Sequence, residues 1–432
     1  MKMDRFKNVA ALIGVTLFIS GCGSSSDSQP SETTNKINNS VETITQSYKV
    51  ADTNQQKCFD SNGIQITCSN TGQDGSYITN VPSYSINNSY IVTDNITALM
   101  WTKSADINND GYIDVSDKKS QTQAVSYCQE LSLEGYDDWR LPDIKTLYSL
   151  MDFSGGDPSG YNGTDTSELK PFIDNSVFEI GYGDTSAGER VIDAQWATTT
   201  KYVSTTMNGD ETMFGLNLAD GRIKGYPVQT HGSDKLFYVQ CVRENENYGK
   251  NSFKDNGDDT ITDNGTNLTW QKNDNANKVD WDGALSYCEN LTLGGSSFWR
   301  LPNAKELHTI VDYTKSPDTD NSPAIDTEFF NSSSIINEEG EDDFGSYWSS
   351  TTHKTYTNQG SSAVYISFGR ALGYMNNQWL DVHGAGAQRS DPKDISLLNT
   401  NDPSYTIVGD TITHGPQGDV VRGMNFVRCV RD

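Results

Sequence analysis

The stretch Ala124-Val125-Ser126-Tyr127-Cys128-Gln129-Glu130-Leu131-Ser132-Leu133-Glu134-Gly135, followed by Trp139-Arg140-Leu141-Pro142, decides how this 432-residue chain is read. It returns 160 residues later as Ala284-Leu285-Ser286-Tyr287-Cys288-Glu289-Asn290-Leu291-Thr292-Leu293-Gly294-Gly295 and Trp299-Arg300-Leu301-Pro302. Self-similarity of this kind means one structural unit used twice. The correspondence extends outward in order. Lys145, Leu147 and Asp152 stand against Lys305, Leu307 and Asp312, and Thr93-Asp94-Asn95 and Trp101 against Thr262-Asp263-Asn264 and Trp270. Trp196-Ala197-Thr198-Thr199-Thr200 answers Trp348-Ser349-Ser350-Thr351-Thr352, and Val239-Gln240-Cys241-Val242-Arg243 answers Val427-Arg428-Cys429-Val430-Arg431.

Each copy reads as an α+β module. A strand ends at Trp101 or Trp270, and a helix follows whose Val125, Cys128 and Leu131 share one face. Asn303 with Glu306 forms a capping box opening a second helix, with Asp143 as the matching cap in copy one. That helix buries Leu147, Leu150 and Met151. Short Tyr-, Val- and Ile-bearing strands broken by Gly and Asn then run to the last Cys strand.

The chain has seven Cys. Lys2, Arg5 and Lys7 precede the apolar run Val9 to Ile19, which is shorter than the ~20 residues a membrane span needs and fits a secretory signal. It ends in Ile19-Ser20-Gly21-Cys22, which resembles a bacterial lipobox; Cys22 is then the acylated (palmitate-bearing) first residue of the mature chain. Gly23 in place of Asp resembles lipoproteins sent to an outer membrane. No other segment is apolar enough to cross a membrane. Six Cys in an exported chain imply three disulfides, with 15 possible pairings. Asn62-Gly63 between short β-prone runs reads as a hairpin stapled by Cys58–Cys68. Duplicated modules most simply pair within themselves, as Cys128–Cys241 and Cys288–Cys429. The organisation is therefore a signal peptide (1–21), a Ser/Asn/Thr/Gln-rich flexible tether (22–50), a disulfide hairpin and lead-in (51–84), and two modules (85–245 and 246–432).

The ordered motif set resembles the Lcl C-terminal domain family, named for a collagen-like bacterial adhesin and similar to the C-type-lectin-like superfamily. The resemblance covers about 85–243 and 250–431. It implies two tandem lectin-like modules, each with two helices, a small antiparallel sheet and a helix-to-last-strand disulfide, on a bacterial surface or secreted protein. Some members bind sulfated polysaccharides. Trp139 with Arg140, and Trp299 with Arg300, match the family motif and read as core tryptophans stacked by arginine. A related lectin-like fold supports formylglycine-generating oxidation, which needs reactive cysteines. Intramodule pairing leaves no spare thiol in the mature chain, so the enzyme reading is set aside and no catalytic residue is assigned.

One motif carries sharp chemistry. Copy one is longer than copy two between its Trp and its Tyr-Cys helix, and the insertion contains Asp106-Ile107-Asn108-Asn109-Asp110-Gly111-Tyr112-Ile113-Asp114-Val115-Ser116-Asp117. Asp106, Asn108, Asp110, Asp114 and Asp117 place oxygens at loop positions 1, 3, 5, 9 and 12, and Tyr112 offers its carbonyl. Ca²⁺ takes 6–8 such hard ligands, and Gly111 permits the sharp turn. The expectation is a structural Ca²⁺; Asp at position 12 resembles dockerin-type extracellular loops.

The charge excludes some partners. Thirty-two Lys and Arg against 58 Asp and Glu leave −26, which would repel a nucleic-acid backbone. The run Glu338-Glu339-Gly340-Glu341-Asp342-Asp343 reads as a solvated loop, and the five His have no zinc spacing. His231, His383 and His414 sit in Gly-rich loops before the last strands. The expected function is a lipid-anchored binding or adhesion protein of the bacterial outer membrane or cell surface. Its partners would be the membrane, through the lipid, and a glycan or surface protein. The alternative is a structural envelope lipoprotein that binds another protein. Copy two has 81 residues from Trp348 to Cys429, against 45 from Trp196 to Cys241, so its loops are the first place to look for the ligand. Sulfated ligands share the sign of this surface unless Ca²⁺ or Arg370, Arg389 and Arg422 bridge.

Overall fold

A computed structural model describes residues 47–432. The signal segment, Cys22 and most of the tether lie outside the described residues. In copy one, β1 (Tyr84–Ile86), β2 (Ile91–Asp94) and β3 (Met100–Thr102) lead to α1 (Gln121–Glu130) and α2 (Ile144–Tyr148). Then come β4 (Lys201–Thr206), β5 (Asp210–Asn217), β6 (Arg222–Pro227) and β7 (Val242–Arg243). Copy two repeats the order with β8 (Phe253–Asp255), β9 (Thr260–Asp263), β10 (Leu268–Gln271), α3 (Trp281–Glu289) and α4 (Ala304–Thr309), and adds α5 (Pro317–Asp320). It continues with β11 (Ser346–His353), β12 (Ser362–Ser367), β13 (Leu372–Met375), β14 (Gln378–Asp381), β15 (Gln388–Pro392) and β16 (Val430–Arg431).

The helix starts follow from local hydrogen bonding. Ser120 caps α1 in a capping box with Gln123, and Asn303 caps α4 in a box with Glu306. Asp143 caps α2 through the Thr146 N–H. The second helix is shorter than expected: α2 ends at Tyr148, so Leu150 and Met151 are buried just beyond it rather than on it. Copy two also exceeds the expected two helices by α5, a single turn started by Ser316 and Pro317.

Each copy ties its two ends in one four-stranded sheet, β7-β3-β2-β1 in copy one and β8-β9-β10-β16 in copy two. The main sheet does not respect the copy boundary. Its order is β11-β12-β15-β6-β5, with Gln195–Trp196 and β4 both on β5, and the copies join where Gln388 of β15 pairs with Ile223 of β6. One apolar core accordingly holds Trp101, Leu147, Trp196 and Ile223 together with Trp270, Leu307, Tyr347 and Val364. The two sequence modules and the lead-in segment thus form one compact body within the described residues, with a mixed helix and antiparallel-sheet architecture.

Two satellite cores remain private to the copies. One packs Cys128 and Cys241 with Trp139, the other Cys288 and Cys429 with Trp299. The disulfides Cys128–Cys241, Cys288–Cys429 and Cys58–Cys68 are all formed, with Cα–Cα separations of 5.5, 5.6 and 5.1 Å.

Candidate functional site

Copy two's long final segment builds something copy one lacks. β13 and β14 pair as a hairpin and extend, through Asp419–Val420, Thr411–His414 and Tyr405–Val408, into a five-stranded sheet. The hairpin faces the β4–β5 turn of copy one, where Met207, Asn208 and Gly209 all have positive φ. Between them lies a groove of about 420 Å³, bordered by Trp379, Arg370, Asp318, Glu339, Glu341 and Asp381. The Met207 N–H donates to the Asp381 carbonyl at 3.0 Å, and the Ser204 hydroxyl to Asp318 at 3.3 Å, so the turn is fixed to the groove floor.

Trp379 meets Tyr374 edge-on at 4.9 Å and remains partly exposed. Arg370 is held among Asp318 (2.6 Å), Glu341 (3.5 Å) and Asp343 (3.5 Å), which fixes its guanidinium in place. Among the described residues Asp381 has no cation partner; it accepts from the Tyr202 hydroxyl at 3.0 Å and from the N–H groups of Gly384 (2.8 Å) and Ala371 (3.1 Å). Burial is the main cause that pushes its carboxyl up to about 7, against the lowering effect of these donors. The groove therefore offers one aromatic face, several acceptors and a fixed cation.

All six oxygen-bearing positions of the calcium sequence lie in one loop whose carboxylates turn onto its own backbone. Asp106 accepts from the N–H groups of Asp110 (3.2 Å) and Gly111 (2.9 Å), Asn108 from Asp110 (2.9 Å) and Asp110 from Tyr112 (2.9 Å). Asp114 caps a 3₁₀ turn at Val115–Asp117, and buried Asp117 accepts from Ile107 at 2.9 Å and Asp114 at 3.0 Å. Gly111 sits at φ +88°, the left-handed turn its position requires. Among the described residues no group of three or more His, Cys, Asp or Glu is arranged to hold a metal ion.

The motif arginines do not stack on their neighbouring tryptophans. Arg300 makes a two-pronged pair with Glu306 at 2.6 and 2.8 Å, and the cation over Trp299 is Arg431, at 5.3 Å. Arg140 donates to the Glu244 carbonyl instead. Nor is the 338–343 run a purely solvated loop, because Glu338 pairs with Arg422 at 2.5 Å and Asp343 is buried beside Arg370. Arg389 is bound to Asp419, so all three arginines of this region already have carboxylate partners. His383 is buried against Asp419, His414 lies 3.4 Å from Asp391, and His231 is exposed.

The repeated geometry has a counterpart among known families. The Lcl C-terminal domain matches residues 90–243 and again 259–383. The chain belongs to the Lcl C-terminal domain family. The two matches correspond to the two copies and cover the motifs from β2 to β7 and from β9 past β14. The groove-lining hairpin lies inside the second Lcl match, whereas the strands after residue 383 lie beyond it. Neither a curated protein nor a solved structure matches the chain. Sequence reasoning missed Trp379; the only signal for it was the excess length of copy two's final segment.

Proposed function

We propose that the chain is a lipid-anchored cell-surface binding or adhesion protein, which holds a glycan or surface polymer through the loops of C-type-lectin-like modules. Acylated Cys22 anchors it in the outer membrane, and the 22–50 tether lets the folded body reach away from the lipid. The observation that carries the reading is Trp379. Of eight tryptophans, the other seven are 3 % exposed or less, whereas Trp379 borders a polar groove. A concave site with an aromatic face and a few fixed polar groups suits a hydroxyl-rich ring. The groove's carboxylates favour a neutral ligand over a polyanion.

A glycan array probed with the full chain tests this. Trp379→Ala should abolish the bound signal while costing only about 1 kcal/mol of stability, since its ring is partly exposed and packs on Tyr374 alone among the aromatics. Uniformly negative glycans together with a specific protein pull-down would replace this reading with the structural, protein-binding lipoprotein.

The same proposal takes loop 106–117 as a structural Ca²⁺ site held by Asp106, Asn108, Asp110, Tyr112, Asp114 and Asp117. Support comes from the oxygen spacing and from side chains already turned inward around Gly111. Calorimetric titration should give Ca²⁺ heat that is lost in Asp106→Ala, and EGTA should lower the melting temperature; no heat and no EGTA effect would remove the ion from the reading.

A further inference from the structure

Three lysines meet where the lead-in segment crosses both copies. Lys57, Lys170 and Lys354 line one cleft of about 370 Å³. The Lys354 amine donates to the Ser154 carbonyl at 2.9 Å and the Lys170 amine to the Ser154 hydroxyl at 2.7 Å, so two cations converge on one residue. Among the described residues none of the three forms an ion pair with a carboxylate. This is the reverse of the chain's overall sign, a net charge of −26.

Like charges gathered this way repel, and more strongly beside protein than in bulk water. The strain shows on Lys354, whose amine is lowered to about 8 by burial first and then by Lys170 and Lys57, with Asp152 opposing. An anion in the cleft would relieve it. Exposed carboxamides of Gln56 and Asn358 line the same walls and suit hydroxyl groups, while Asn54 is already engaged by Asp152 at 3.0 Å.

We propose that this cleft is a second binding site, separate from the Trp379 groove, which takes the carboxylate of an acidic sugar of the hexuronate class. The volume lies within the range of small-ligand sites. An isolated carboxylate on an otherwise neutral sugar fits better than a densely charged polymer. Beyond the ~8 Å screening length the three lysines no longer attract, and on a chain of net charge −26 added negative charges outside the cleft gain nothing.

Calorimetric titration of the full chain with methyl glucuronide, and with the neutral methyl glucoside, tests the site. The glucuronide should bind and the glucoside should not. Lys57→Gln/Lys170→Gln, both at exposed positions, should weaken the glucuronide at least tenfold with an unchanged melting temperature. Trp379→Ala should leave that affinity as it is, which separates this site from the groove. Binding should also weaken as pH rises above about 8, where Lys354 loses its proton. Equal binding of the two sugars, no binding of either, tighter binding of acetylglycine than of the glucuronide, or an unaffected double variant would each overturn the assignment.

Discussion

Lys145 of copy one donates to the Thr309 carbonyl of copy two at 2.8 Å, and Lys305 of copy two donates to the Ser149 carbonyl of copy one at 2.9 Å. The two lysines, and the two carbonyls, are each 160 residues apart, so the contacts are reciprocal about an approximate two-fold axis. Each amine closes the C-terminal end of the other copy's helix, where carbonyls lack partners and the helix dipole favours a cation. What is shared by the copies therefore joins them. What differs sits at the periphery: the 106–117 loop in copy one, and the β13–β14 hairpin with its extra sheet in copy two.

Breaking the reciprocal pair should have the largest effect. Lys305 is buried and Lys145 half-buried, and both amines are lowered to about 8 mainly by loss of solvent, yet each satisfies two or three oxygens. Lys305→Met strands the Asp52 and Ser149 carbonyls and should cost about 2–4 kcal/mol, with Lys145→Met close behind. Because the main core runs through both copies, differential scanning calorimetry should show a single transition that moves as a whole in either variant. Two resolved transitions, with only one displaced by each substitution, would mean the copies are separate folding units.

A smaller effect should expose an asymmetry within the shared frame. Arg300 is buried and doubly bonded to Glu306, which also completes the capping box of α4. The matching position in copy one is Thr146, and Arg140 lies partly exposed with a carbonyl partner. Glu306→Gln leaves a buried guanidinium short of charge and should cost about 2–3 kcal/mol, whereas Thr146→Ala should cost about 1 kcal/mol through the lost Asp143 contact at 3.0 Å. Denaturation midpoints of the two variants measure the gap; equal losses would show that the pair in copy two contributes no more than a helix cap.

The parts of this comparison that were legible in the sequence are local ones. Caps at Asp143 and Asn303 depend on residues three apart, and the hairpin staple on residues ten apart, so spacing reveals them. The duplication likewise revealed which cysteines pair. The fusion of the copies was not legible, because the pairing of Ile223 with Gln388 and the Lys145 and Lys305 contacts join residues far apart in the chain, and none carries a pattern that announces its partner. The pairing of Arg370, Arg389 and Arg422 was hidden for the same reason, since Asp318, Asp419 and Glu338 are tens of residues away. Trp379 lies in a segment with no counterpart in copy one, where comparison between the repeats has nothing to act on.

The smallest expected effect is a pH dependence confined to that unmatched segment. In the folded chain Asp381 titrates near 7, raised chiefly by burial, with neighbouring Asp318 adding repulsion. In the unfolded chain it titrates near 3.9. Between those values the folded state keeps a proton that the unfolded state has released, so the contribution to stability is full below about pH 4 and is lost as pH rises through 7. Asn at this position keeps an acceptor for the Ala371 and Gly384 N–H groups and cannot ionise. Asp381→Asn should therefore gain on the parent chain by about 1–2 kcal/mol between pH 6 and pH 8, read from urea midpoints at the two values. Parallel pH profiles would show that the carboxyl is already ionised in the folded groove. In that case Tyr202 and the two N–H donors outweigh burial, and the groove wall beside Trp379 carries a full negative charge at neutral pH.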